Sequence, residues 1–301
     1  MIPFHTLESL DLSQKTVLIT GANSGLGYET ARFFAKRGAQ VLFCARSQQK
    51  GQSAIDRLMS EIPTAHFTLE LLDLADFTSI DALSDRLHQR PLSLDYLINN
   101  AGIMAVPYAT TKDGFESQIG VNHLGHFRLT AHLLDRLSPN ARIVNVSSNA
   151  HRQGKIDFDH FLYENGGYTP FGAYARSKLC NLLFTQSLAL GFTQAKKPVT
   201  VVAAHPGVAR TGLFDRKNDP KFVQFLIKTF MGLVPSAEDG ARPVIMAALD
   251  PKAQNGNYYG PGKKGQVRLD TPIPVTFDAN VQAKLWELSQ ALTGITYYFN
   301  Q

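Results

Sequence analysis

Cysteine is scarce in this chain: Cys44 and Cys180 are the only two in 301 residues. Two isolated thiols make neither a disulfide framework nor a metal-binding pattern. A stapled, secreted architecture is thereby excluded, and a reducing compartment such as the cytoplasm is expected. Charge is sparse as well, at 18% against 44% apolar residues, which is too little for a disordered chain. No apolar run approaches the roughly 20 residues that cross a bilayer, so no transmembrane segment is expected. Met1-Ile2-Pro3-Phe4-His5 has neither the basic nor the apolar region of a secretory leader. The net charge is +5 with a pI near 9.1. Its basic residues are scattered apart from the doublets Lys196-Lys197 and Lys263-Lys264, so no nucleic-acid partner is expected. One further absence is local. Where the second apolar run ends, the chain reads Ala45-Arg46-Ser47, with no carboxylate.

What is present is an alternation of short apolar runs and helix-length segments. Strands are expected at Val17-Leu18-Ile19, Gln40 to Cys44, Phe67 to Leu72, Tyr96-Leu97-Ile98, Arg142 to Val146 and Val199 to Ala203. Helices are expected from about Gly25 to Lys36, through Leu58, near Ser79 to His88 and over Ala237 to Leu249. Continuous apolar strands separated by helices indicate a parallel sheet covered on both faces. The fold class is therefore α/β, a doubly wound parallel sheet, with ligands above the carboxyl ends of the strands. A single domain over residues 1–301 is expected, with no internal repeat. Two regions break the rhythm. The connection Asn149 to Ala173 is long enough to suggest function. In 212–235, Phe222, Phe225, Leu226, Phe230 and Leu233 recur at helical spacing. That segment fits a lid over an apolar substrate, a helix packed on the core, or a membrane-touching patch.

Gly21, Gly25 and Gly27 directly follow the first strand and open a helix. Glycine there permits a tight turn and lets amides at a helix N-terminus approach a pyrophosphate. A guanidinium at Arg46 matches a ribose 2′-phosphate, which a carboxylate would repel. NADP(H) is therefore expected over NAD(H), with Lys50 as an added charge or a solvated helix residue. Asp73, after the third strand, is placed near the adenine or as a helix cap.

Tyr174 stands four residues before Lys178, which puts phenol and ammonium on one helix face. That pairing suits a proton donor and acceptor near neutral pH, and beside a nucleotide site it implies hydride transfer coupled to proton transfer. Tyr168 has no lysine four positions on and reads as loop packing or a substrate wall. His123, His126, His151 and His205 lack metal-ligand spacing, and no metal is expected.

With TGANSGLG at Thr20–Gly27, NNAG at Asn99–Gly102, VNHLGHF at Val121–Phe127, VNVSS at Val144–Ser148, YARSK at Tyr174–Lys178 and HPGVARTGLF at His205–Phe214, the chain resembles the short-chain dehydrogenase/reductases over nearly its whole length. NHLGHF, the run from Ser147 to Phe158, SKLCN at Ser177–Asn181 and LWELS at Leu285–Ser289 resemble the retinol dehydrogenase-like branch. The resemblance implies Tyr174 as general acid/base, its pKa brought down by Lys178 and an oxidised nicotinamide. It implies Ser148, rather than Ser147, as the group bonding the substrate oxygen, and Asn122 as holder of a water that links Lys178 to solvent. Asn23, Ser24 and Leu26 join the glycines at the phosphates, while Asn99 and Asn100 with the backbone of Ala101 and Gly102 would line the adenosine side. Pro206, Gly207, Val208 and Thr211 would hold the carboxamide and phosphate, and Lys178 the nicotinamide ribose. The expected reaction is hydride transfer between NADP(H) and an apolar aldehyde, ketone or alcohol, in a homodimer or homotetramer. A catalytically silent redox sensor and a carbon–carbon double-bond reductase share the fold. The joint presence of Asn122, Ser148, Tyr174 and Lys178 favours the carbonyl/alcohol enzyme.

Overall fold

The computed structural model describes residues 2–207 and 236–299. The 212–235 lid segment, Val208 and Thr211 therefore lie outside the described residues.

Eight strands form one sheet in the order β3-β2-β1-β4-β5-β6-β7-β8. They are β1 (Thr16–Ile19), β2 (Gln40–Ala45), β3 (His66–Leu71), β4 (Leu94–Asn99), β5 (Leu137–Val146), β6 (Thr200–Ala204), β7 (Tyr258–Pro261) and β8 (Val267–Leu269). The first seven pair in parallel, and β8 returns antiparallel to β7 through a short turn. The six apolar runs of the sequence are thus the first six strands. The short β7 and β8 were not among those expected: with four and three residues they are too short to show a periodicity.

Side chains alternate across the sheet as the pleat requires. Leu18 is in register with Leu42 and Leu97, Leu97 with Ile143, and Ile143 with Val201. That row is buried on one face against Leu83, Phe127 and Phe184. Val17, Ile19, Val41, Phe43, Val144 and Val202 point the other way and pack with Phe34, Leu58 and Val244. Helices α1 (Gly25–Ala35), α2 (Gln48–Glu61) and α3 (Phe77–His88) follow the first three strands. Asp76 caps α3 by accepting from the Thr78 amide, so the cap considered for Asp73 belongs to Asp76. Asp73 instead accepts from the Ala75 amide within its own turn.

The fourth helix, α4, is composite. Ser117–Ile119 leads through a π-helical turn, Gly120–Leu124, into Gly125–His132. Helix α5 (Pro170–Gln194) starts with Thr169 accepting from the Gly172 amide and with proline in its first turn. It is buried along most of its length. Helices α6 (Ala237–Leu249) and α7 (Ala279–Thr293) complete the described helices; α7 was not read from the periodicity. The sheet order reverses between β1 and β4, so the loops after those two strands flank a crevice.

Candidate active site

A cavity of about 370 Å³ opens at that crevice. It is lined by Gly21, Asn23, Ser24, Gly25 and Leu26 from the first loop, by Asn100, Ala101, Gly102 and Ile103 after β4, and by Val146, Ser147, Tyr174, Lys178 and Pro206. Four strand ends and two helices, α1 and α5, thus supply a single continuous cleft. Gly21 and Gly25 hold positive φ of 65° and 55°, which glycine adopts without strain. Gly27 is required for another reason: a Cβ there would stand 2.4 Å from the Gly21 carbonyl oxygen. The helix therefore sits directly on the turn. Ser24 caps α1 without a side-chain bond, leaving the first-turn amides to face an anion in the cleft. The donor set fits a dinucleotide pyrophosphate.

A chain of buried hydrogen bonds holds the glycine turn to the segment after β4. The Thr20 hydroxyl accepts from the Asn100 and Ala101 amides, each at 2.9 Å, and lies 2.9 Å from His126 Nε2. His126 Nδ1 is 3.1 Å from the Asn122 carbonyl. A carbonyl only accepts, so Nδ1 carries the proton and Nε2 accepts from Thr20. Burial keeps this imidazole neutral, its pKa pushed down to about 4. His126 is thus a brace. Asn100 also donates to the Thr20 carbonyl at 2.8 Å. Asn99, expected beside it, points into the core and donates to Thr130 and Asn145.

The Ser148 side chain lies near enough to Tyr174 to act on its phenol, and it accepts from the Ala150 amide. Ser147 turns inward, donating to the Lys178 carbonyl at 2.8 Å. Lys178 is buried, donates to the Val146 carbonyl at 3.0 Å, and its Nζ lies 5.8 Å from the centre of the Tyr174 ring. Desolvation lowers its pKa to about 8. The expected acidification of the phenol by Lys178 is not a property of the protein alone. Burial raises the Tyr174 pKa, and only the nearby Ser148 hydroxyl opposes it.

Asn122 sits in the π-helical turn with its side chain fully engaged. Its Oδ1 accepts from the Ile103 amide at 2.8 Å, while Nδ2 donates to the Ile103 carbonyl and to Ser177, each at 2.9 Å. Gly102 separates it from the lysine: a Cβ on Gly102 would lie 3.1 Å from Asn122 Oδ1 and 3.4 Å from Lys178 Nζ. Seven of the expected residues do not line the cavity itself: Gly27, Arg46, Asp73, Asn99, Asn122, Ser148 and Gly207. Arg46 is exposed at the end of β2. Tyr168 donates to the Val106 carbonyl and accepts from Gln118, and burial pushes its pKa up to about 12. It packs among the loops and does not line the cavity. Among the described residues no group of three or more His, Cys, Asp or Glu could hold a metal, and no helix is long and apolar enough to cross a membrane.

The short chain dehydrogenase profile matches residues 15–221. The chain belongs to the short-chain dehydrogenase/reductase family. Within this family it is 40% identical over 293 residues to human retinol dehydrogenase 12, covering 96% of this chain and 89% of that protein. Human retinol dehydrogenase 14 is 38% identical, with 93% and 87% covered. These likenesses put the protein on the retinol dehydrogenase-like branch of an oxidoreductase family that uses nicotinamide cofactors. A crystal structure of an uncharacterized protein from Mycobacterium paratuberculosis shares 39% identity, with a TM-score of 0.79 over 96% of both chains. The profile stops short of β7, β8 and α7, none of which lines the cleft.

Sequence reasoning missed Ile103 and Val146 as lining residues and Thr20 and His126 as the brace. A signal was available for Thr20, His126 and Val146, since all three lie inside the family motifs. Ile103 carries none, being an ordinary apolar residue placed after the end of β4.

Proposed function

We propose that this protein is an NADP(H)-dependent oxidoreductase that reduces apolar aldehydes or ketones and, in reverse, oxidises the corresponding alcohols. The observation that carries this reading is that Tyr174 and Lys178 line one cleft with the glycine turn. A bound nicotinamide supplies the hydride. Ser148 would donate to the substrate oxygen as charge gathers there, and Tyr174 would hand it a proton in reduction or take one in oxidation. Lys178, whose buried ammonium has a single hydrogen-bond partner among the described residues, the Val146 carbonyl, would bind the ribose hydroxyls and favour the phenolate. Asn122 supports a water path by fixing Ile103 and the floor beside Lys178.

Arg46 supports NADP(H) over NAD(H). It is exposed, has no hydrogen bond or ion pair among the described residues, and has no acid next to it in the sequence Ala45-Arg46-Ser47. Two features support an apolar substrate: relatives named for retinol and an aromatic rim. Phe171 is 45% exposed with its ring 6.3 Å from that of Tyr174, and Tyr108 packs on Tyr168. The test is NADPH consumption against a panel of apolar aldehydes and ketones. Tyr174→Phe should lower kcat at least about a thousandfold while NADPH still binds. Turnover retained in that variant, or reduction confined to the carbon–carbon bond of an enone, would refute the assignment.

A further inference from the structure

We propose that Asp270 and His205 form a positioning pair that sets the Pro206–Gly207 turn against the cofactor, held there by the β7–β8 strands beyond the family match. The inference rests on the cofactor reading above. His205 follows β6 and is buried. The Gly207 amide donates to its Nδ1 at 3.1 Å, which requires a lone pair on Nδ1 and the proton on Nε2. Nε2 lies 3.0 Å from Asp270 Oδ2. The carboxylate therefore selects the one tautomer that can accept from Gly207. Asp270 is itself fixed, donating its amide to the Tyr258 carbonyl at 2.7 Å, with Arg268 at 3.4 Å and Arg152 at 3.8 Å.

The local backbone is shaped around this contact. A Cβ on Gly260, in the middle of β7, would lie 2.2 Å from His205 Nε2, so the imidazole occupies space that only glycine leaves free. Gly207 holds a φ of 70°, and a Cβ there would stand 2.7 Å from Pro261. The turn so clamped includes Pro206, which lines the cleft with Tyr174 and Lys178. The same strand reaches the serine turn. Tyr258 packs against His205 at 4.9 Å and edge-on against His151 at 5.6 Å, and His151 Nδ1 donates to the Ser148 carbonyl at 2.7 Å. One strand thus backs both turns that flank the site. Neither Asp270 nor His205 lines the cleft; the pair would act through the Gly207 amide alone.

The experiment measures the Kd of NADPH by titration calorimetry, with kcat and KM in parallel, for wild type and two matched pairs of variants. Asp270→Ala should raise the Kd and KM for NADPH about tenfold and change kcat at saturating NADPH less than threefold. Asp270→Asn should restore most of the affinity, because its amide oxygen still accepts from Nε2. His205→Ala should lose affinity to a similar degree. His205→Asn should recover it, because an asparagine oxygen can accept from the amide two residues on. Where an alanine variant does not fold, the asparagine variants decide: both must stay within about threefold of wild type. Wild-type protein that binds NADPH while Asp270→Ala binds it within twofold overturns this inference alone, as do asparagine variants no better than their alanine counterparts. Wild-type protein that binds no NADPH removes the cofactor reading and this inference with it.

Discussion

At the scale of single residues the site is governed by burial. Lys178 is taken out of water with one carbonyl as its hydrogen-bond partner, and its pKa falls from the usual 10.5 to about 8. Between those two values the folded protein has released the proton that the unfolded chain still holds. Raising the pH through that window therefore favours the folded state. Wild type should gain about 2 kcal/mol of stability relative to Lys178→Met between pH 8 and pH 10. Urea unfolding of both proteins at the two pH values measures this, and a constant difference would show that the ammonium is not desolvated. Asn181 also donates to the Val146 carbonyl at 3.1 Å, so the variant leaves no orphaned acceptor. Arg46 poses the opposite case, an exposed charge whose worth depends on its ligand. Arg46→Asp should turn the NADP/NAD preference, read as the ratio of kcat/KM values, by at least about a hundredfold, since a charge-assisted contact is replaced by a repulsion. An unchanged ratio would remove the 2′-phosphate assignment.

Between elements, the decisive joint is Thr20, where the ends of β1 and β4 meet the π-helical turn of α4 through His126. Thr20→Val keeps the shape but strands two amides and one imidazole nitrogen in the interior. The expected cost is about 2–4 kcal/mol, with weaker NADPH binding as the glycine turn loosens. Thermal unfolding checks the first part, and a loss under 1 kcal/mol would mean that water replaces the hydroxyl. This joint also marks what the letters could and could not reveal. The six long strands, the glycine turn and the Tyr174 helix were legible because each combines a periodic apolar pattern with an unusual residue at its end. Tyr174 and Lys178 both line the cleft, from the one helix on which their spacing places them. The raised pKa of the Tyr174 phenol was not legible in the letters, because desolvation depends on neighbours that only the fold supplies. Asn99 was misplaced for a similar reason. In a strand, adjacent side chains face opposite ways, and only the register shows that Asn99 turns toward Thr130.

For the molecule as a whole, the question is whether the segment after residue 236 is part of one cooperative unit. Helix α7 carries Trp286, the only tryptophan of the chain. Its ring lies 5.1 Å from Phe127 of α4 and 4.6 Å from Tyr297. Buried polar contacts cross the same boundary. Tyr297 donates to the Phe127 carbonyl at 2.6 Å, and His123 meets Ser289 at 2.9 Å. On the far face of the sheet, Arg142 of β5 donates to the Ala247 and Asp250 carbonyls. Separating this segment would expose an aromatic cluster and orphan several polar groups at once, a penalty far larger than any linker entropy could offset. It should therefore unfold together with the sheet. Trp286 fluorescence reports the C-terminal helix, while far-ultraviolet circular dichroism reports mainly the rest of the chain. In urea the two transitions should coincide in midpoint and slope. A fluorescence transition that precedes the loss of secondary structure would identify the C-terminal segment as a separate unit. The clamp that β7 and β8 place on the Gly207 turn would then be open in a population of otherwise folded molecules.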